Sequence, residues 1–157
     1  MAQFPPVPRW SQVLGDKVKT ISKSWDDWFQ AIQRTLDQSA LVVGQVELDT
    51  QSAAIAPTTL ASSLAAGLYR LSYYAQVTQA ASVSSSLTPD FQWTTNGVAQ
   101  TTASAALTTN TTASHQERSF PIKVDQSSAV TYSVAYASVG APVMQYSLDI
   151  ALEAVPS

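Results

Sequence analysis

The sequence contains no cysteine and a single histidine, His115, among its 157 residues. Disulfide bonds and thiolate metal sites are therefore excluded, and the fold must be stabilised by packing alone. A metal site would have to be built from carboxylates, yet the acidic residues stand apart from one another except for Asp26-Asp27. We therefore expect no metal and no cofactor.

Glycine is also scarce, and the five glycines stand far apart in the chain. The sequence therefore has no glycine-rich phosphate loop and no Gly-x-Ser-x-Gly nucleophile elbow. His115 lies in the polar segment Thr111–Arg118, which predicts an exposed loop histidine rather than a catalytic base. Because no nucleophile is paired with a base, we expect that the protein is not an enzyme.

Charged residues make up only 12% of the chain, against about 25% in typical soluble domains. The net charge is −3, and the basic residues are scattered rather than clustered. This distribution argues against nucleic-acid binding, which needs a continuous basic surface. A β domain whose surface carries so few charges is suited to packing against copies of itself.

No apolar run approaches the roughly 18 residues of a membrane span, so no membrane insertion is expected. The first nine residues, Met1–Arg9, lack the basic start and apolar stretch of a signal peptide. We therefore expect synthesis in the cytoplasm without a cleaved leader.

The chain changes character near residue 40, which predicts an N-terminal attachment segment (1–40) and a β-sandwich domain (41–157). Pro5, Pro6 and Pro8 favour an extended arm, which is either a disordered tail or an arm that docks on a neighbour. Residues 10–23, which begin with Trp10, have a loose helical spacing of apolar side chains.

Ser24 is predicted as the N-cap of a helix, with Asp27 in the capping-box position. One apolar stripe follows the spacing of a helix face and comprises Trp25, Trp28, Phe29, Ile32 and Leu36. These aromatic side chains either close the bottom of the sandwich or dock on another subunit. We favour the docking role, because the stripe precedes the β module and follows the proline-rich arm.

From residue 41 onward, apolar and polar residues alternate in about eight or nine segments, which predicts antiparallel strands with one buried face. The predicted fold is mainly β, an antiparallel sandwich or jelly roll preceded by an extended arm and short helices. Asn96-Gly97 predicts a tight hairpin. The alternation of residues in segment 98–107 predicts an exposed hairpin. The predicted core includes Val77, Ile122, Val124, Val134, Tyr146, Leu148 and Ile150.

Two further aromatic residues have two interpretations. Tyr74 falls on the polar face of its predicted strand, and Trp93 stands beside the Asn96-Gly97 turn. Both are candidates for an exposed contact with a glycan ligand or with a partner subunit, and the pattern does not rank these options.

The helix from Ser24 to Ile32, after a proline-rich start, resembles the N-terminal attachment segment of tailed-phage appendage proteins. The later segments are similar to small jelly-roll domains of phage structural proteins such as head fibres, decoration proteins and neck or tail appendages. Those segments are Gly67–Tyr74, Trp93–Asn96, Phe120–Asp125 and Tyr146–Glu153.

This resemblance implies a virion structural protein that assembles in the host cytoplasm and forms a homotrimer like those of tumour-necrosis-factor-like or C1q-like domains. It implies docking on capsid, neck or tail proteins through Pro5, Pro6, Trp10, Trp25, Trp28, Phe29 and Ile32. Two alternatives remain open: a capsid decoration protein whose sandwich binds the capsid lattice, and an adhesion module that binds a host surface glycan.

Overall fold

The computed structural model describes residues 23–37 and 41–156. The chain divides into two compact units, and the second of them comprises Leu41–Val155. In the first unit, the structure describes one helix, α1 (Lys23–Asp37). The second consists of strands β1 (Leu41–Gln51), β2 (Ile55–Leu64), β3 (Gly67–Gln79), β4 (Ser84–Thr95), β5 (Val98–Ala103), β6 (Leu107–Thr108), β7 (His115–Val124), β8 (Ser128–Val139) and β9 (Gln145–Ala154).

The helix begins earlier than the sequence predicts. Because α1 starts at Lys23, Ser24 lies within its first turn, and the prediction that Ser24 is the N-cap is wrong. Lysine is a good helix former, so the helical conformation extends past Ser24. Asp26 still lies in the first turn, where the helix dipole stabilises negative charge.

The strands form two sheets, which we call sheet A and sheet B. Sheet A has the order β1-β9-β3-β7, and sheet B the order β2-β8-β4-β5, with β6 also paired to β4. Every strand pair is antiparallel. The chain crosses between the sheets at every connection except those from β4 to β5 and from β5 to β6, and it pairs its first strand with its last. This is the strand order of a jelly roll. The predicted antiparallel sandwich is confirmed.

The core lies between the sheets and takes every second residue of the long strands. In β3 and β9 the buried and less buried positions alternate along almost the whole strand. This is the pattern expected when one face of a pleated strand packs against another sheet. All seven predicted core residues are buried, namely Val77, Ile122, Val124, Val134, Tyr146, Leu148 and Ile150.

Pro89 interrupts the edge of sheet B. Strand β5 pairs with Asp90–Thr95 of β4, whereas β6 pairs with Ser86–Leu87. The carbonyl of Pro89 accepts a hydrogen bond from the N–H of Ser104 at 3.0 Å, so this side of Pro89 faces the broken edge. Proline has no N–H to complete the pair, and the ladder breaks there. The segment 98–107 therefore supplies β5, which is one arm of the β4–β5 hairpin, and the start of β6. It does not form the predicted exposed hairpin by itself.

Among the described residues, no helix is long and apolar enough to cross a membrane.

The buried alternation in β9 predicts a large effect at Leu148, which is fully buried. Leu148→Ala should lower the free energy of unfolding by about 2–5 kcal/mol, because it removes buried methyl groups and leaves a cavity. Urea denaturation followed by tryptophan fluorescence measures the loss. Asp149→Ala is the matched control: this neighbour is exposed and should change stability by less than about 0.5 kcal/mol. Equal effects of the two substitutions would contradict the described core.

Candidate functional site

Three aromatic rings of α1 form one cluster, which we call the α1 aromatic cluster: Trp25, Trp28 and Phe29. Residues three and four positions apart lie on the same side of a helix, so the spacing brings the rings together. The ring centroids of Trp25 and Trp28 are 5.2 Å apart in an edge-to-face arrangement, and those of Trp25 and Phe29 are 5.8 Å apart. Such contacts stabilise the cluster beyond the area that it buries.

The α1 aromatic cluster leaves apolar surface open. Phe29 is 48% exposed, while Trp25, Trp28 and Ile32 are partly buried. The exposed polar side chains of Gln30, Gln33 and Arg34 lie on the same helix. Among the predicted attachment residues, the structure thus brings together those of the helix, whereas Pro5, Pro6 and Trp10 lie outside the described residues.

Tyr74 lies on the outer face of sheet A, where the sequence placed it. Its ring stacks on that of His115, with centroids 5.4 Å apart and an angle of 22° between the planes. In the strand register, Tyr74 lies opposite Asp149 of β9 on one side and Glu117 of β7 on the other. A shallow groove beside it is lined in part by Gln45, Ser72, Tyr74, Asp149 and Ala151.

Trp93 has a different environment from Tyr74. It is partly buried and packs against the core, and its Nε1 donates a hydrogen bond to Oγ1 of Thr95 at 3.1 Å. The hydroxyl of Thr95 in turn donates to the carbonyl of Lys123. The indole therefore takes part in the internal contacts of the sandwich, whereas Tyr74 lies on the outer face of sheet A.

Asp125 anchors the β4–β5 hairpin, a role that the sequence analysis missed. Its Oδ1 accepts a hydrogen bond from the N–H of Asn96 at 2.9 Å, and its Oδ2 accepts one from the N–H of Gly97 at 2.7 Å. Asn96 and Gly97 both have positive φ, at 52° and 72°, as the predicted tight turn requires. The turn signal was readable in the sequence, but its partner lies 28 residues further along the chain.

These contacts change the acid strength of Asp125. The N–H groups of Gly97 and then Asn96 stabilise the carboxylate, so the pKa of Asp125 lies below its ordinary value. The positive charge of Lys123 contributes less to this lowering of the pKa. The carboxylate thus binds two turn amides and holds the β4–β5 hairpin.

His115 begins strand β7 rather than lying in a loop, which corrects the prediction. The strand begins there because His115 pairs with Gln76 of β3 at the end of the β3–β7 ladder. Within the described ranges, no group of three or more histidine, aspartate or glutamate side chains is placed to hold a metal ion.

Comparisons with known proteins give little beyond this geometry. No protein-family model matches the chain, and no curated protein matches it. Among solved structures, the chain is similar to two pentameric capsid proteins isolated from metagenomic phage sequences. The identities are 13% and 14%, the TM-score is 0.32 in both cases, and the alignments cover 95% and 94% of this chain and 78% of each neighbour. Likeness at this level supports no functional argument.

The Asp125 contact predicts a specific dependence of stability on pH. Because the folded-state pKa is lowered, the contact stabilises the fold above the unfolded-state value of about 4, and this contribution is lost as the pH falls through the folded-state pKa. Asp125→Asn should therefore lower Tm at pH 7 and reduce the loss of Tm on acidification. Circular dichroism melting between pH 7 and pH 2.5 measures both effects.

Lys123→Gln is the matched control, because it removes the nearby positive charge but keeps both hydrogen bonds to the turn. It should follow the wild-type pH dependence closely. If Asp125→Asn and wild type lose Tm in parallel from pH 5 downward, the proposed stabilisation of the carboxylate is refuted.

Proposed function

We propose that this chain is a non-enzymatic structural protein of a bacteriophage virion. In this proposal the N-terminal segment docks on another virion protein, and the jelly roll is displayed as a homotrimeric appendage of the neck, tail or head. The proposal combines the resemblance stated from the sequence with two features of the described residues. These features are the α1 aromatic cluster and the scarcity of charge on the strands.

The α1 aromatic cluster is the observation on which the docking role depends. Tryptophan and other large aromatic residues dominate binding free energy when a partner buries them, and here two indoles and a phenyl ring share one helix. A helix of 15 residues is only marginally stable alone in water. Burial of its aromatic side on a virion protein would stabilise the helix and supply the attachment.

A role without catalysis is supported by the surroundings of the titratable groups. The only histidine stacks on Tyr74, and Asp125 is bonded to two backbone amides. Catalytic sites instead bring a nucleophile, a base and an orienting group within hydrogen-bond distance of one another.

In the first alternative, the sandwich rather than the N-terminal segment attaches the protein to the virion. In a capsid decoration protein the sandwich itself binds the capsid lattice, and the helix only closes the trimer. The exposed Leu41, Val42 and Leu68 favour this alternative, because they place apolar surface at the end of sheet A where β1 and β3 begin.

The second alternative is an adhesion module for a host glycan. It is favoured by Tyr74, since a partly exposed ring flanked by Asp149 and Glu117 offers both a stacking surface and hydrogen-bond acceptors to a sugar. Binding of host envelope polysaccharide that is kept in Tyr74→Phe and lost in Tyr74→Ala would support it, and release of free sugar would instead reveal an enzyme.

Removal of two rings tests the docking role. We expect that Trp28→Ala combined with Phe29→Ala keeps a folded sandwich but fails to join particles that lack the protein. The physical reason is that the substitutions remove two of the three rings of the α1 aromatic cluster, including the exposed Phe29. Incorporation is measured by sedimenting the particles and quantifying the bound protein, with circular dichroism as the test of folding.

Gln30→Ala combined with Gln33→Ala is the matched control, since both side chains are exposed and lie on the same helix. This variant should join particles like wild type. Normal incorporation of the Trp28/Phe29 double variant would place attachment in the sandwich and favour the decoration-protein alternative.

A further inference from the structure

The charged residues of the β unit are divided unequally between the two sheets. The strands of sheet A contain eight residues with Asp, Glu, Lys or Arg side chains: Glu47, Asp49, Arg70, Glu117, Arg118, Lys123, Asp149 and Glu153. The five strands of sheet B contain one, Asp90. Since strands of the two sheets are interleaved along the chain, this division appears only once the strand order is known.

The outer face of sheet B is built from short uncharged side chains, and we call it the sheet B face. Along its two central strands, register pairs join Ala137 to Ser86, Ala135 to Thr88, and Thr131 to Gln92. Asp90 lies between Ser133 of β8 and Ala103 of β5. Its Oδ1 is shielded from solvent without a hydrogen-bond partner among the described residues, so the one carboxylate lies against the face.

The sheet B face approaches the size of a standard contact surface. Strands β4 and β8 each have 12 residues, β2 has 10 and β5 has six. At about 3.3 Å per residue and about 4.8 Å between strands, these four strands present roughly 630 Å². Standard protein–protein interfaces bury about 800 Å² on each partner. The face thus has about four-fifths of the area that a standard interface buries on one partner, and in a trimer it is shared between two neighbours.

Charge identifies the partner that fits this face. Exposed surfaces of soluble domains are about 25–35% charged, whereas the centres of interfaces are depleted of charge. Copies that met through sheet A would bring together acidic rows such as Glu47 opposite Asp149, and like charges in contact are repulsive. Copies that meet through the sheet B face each bring only one carboxylate, the partly buried Asp90, and their hydroxyl groups can donate to and accept from one another.

We propose that the sheet B face is the surface through which copies of this chain associate. This inference rests on the self-association within the proposed function and adds the location of the contact. In a trimer, each sheet B faces the three-fold axis and contacts a different neighbour along each of its two edges. Sheet A then faces outward, with its charged residues and Tyr74 in contact with solvent.

The test places one lysine on each sheet in the full-length protein. Ala135 is exposed on the sheet B face, and Ser147 occupies an outer position of the central strand β9 in sheet A. Light scattering at micromolar concentration should give a mass of about three times 16.8 kDa for wild type and for Ser147→Lys. Ala135→Lys should give the 16.8 kDa monomer. Ala137→Lys, also exposed on β8, repeats the test if Ala135→Lys does not fold.

Three results would overturn the inference. If Ser147→Lys dissociates the protein and both β8 variants do not, the contact lies on sheet A and the proposed function stands. If none of the lysine variants dissociates the protein, the contact lies outside both sheet faces. If wild type is a monomer, self-association itself is refuted, whereas docking through α1 remains to be decided by the Trp28/Phe29 double variant.

Discussion

The packing of the two sheets on one shared apolar layer is the constraint on which the rest of the structure depends. Leu71 and Val77 of β3 and Leu148 of β9 face the layer from sheet A, and Leu87 and Phe91 of β4 face it from sheet B. Because side chains alternate along a strand, each buried position fixes its neighbours on the outer face. A shift of one residue in any central strand would expose its core residues and bury polar ones.

Because the inner positions are fixed by the core, only the residues on the outer faces of the two sheets are free to vary. The two outer faces differ in charge. Sheet A carries the charges of the strands together with Tyr74, whereas sheet B presents serine, threonine and alanine with the single charge of Asp90. The outer face of sheet A is therefore suited to contact with water, and the outer face of sheet B is suited to contact with another uncharged surface. The α1 aromatic cluster adds a third surface, in a separate unit of the chain.

Local signals in the sequence predicted the features that depend on neighbouring residues. Alternation located the core, as at Tyr146 and Ile150, and Asn96-Gly97 located the turn. Helical spacing brought together Trp25, Trp28 and Phe29, although the start of the helix was misplaced at Ser24.

Features that depend on distant residues were not predictable in this way. Asp125 lies in the connection from β7 to β8 and binds the turn at Asn96-Gly97, and no local pattern couples these two segments. Pro89 lies within β4 but interrupts the strand that pairs with it, which is divided into β5 and β6. Nothing in the segment 98–107 itself indicates this interruption. The unequal charge of the two sheets likewise follows from the strand order, which the order along the chain does not reveal.

The central claim is that the uncharged face of sheet B meets other copies while sheet A faces outward, and the absence of cysteine allows a direct measurement. A single cysteine replaces Ala135 on sheet B in one variant and Ser147 on sheet A in another. Both full-length proteins are treated with a short bis-maleimide cross-linker and analysed by denaturing electrophoresis. The account predicts rapid cross-linking through position 135 and only slow, concentration-dependent cross-linking through position 147. Rapid cross-linking at position 147 with none at position 135 would contradict it.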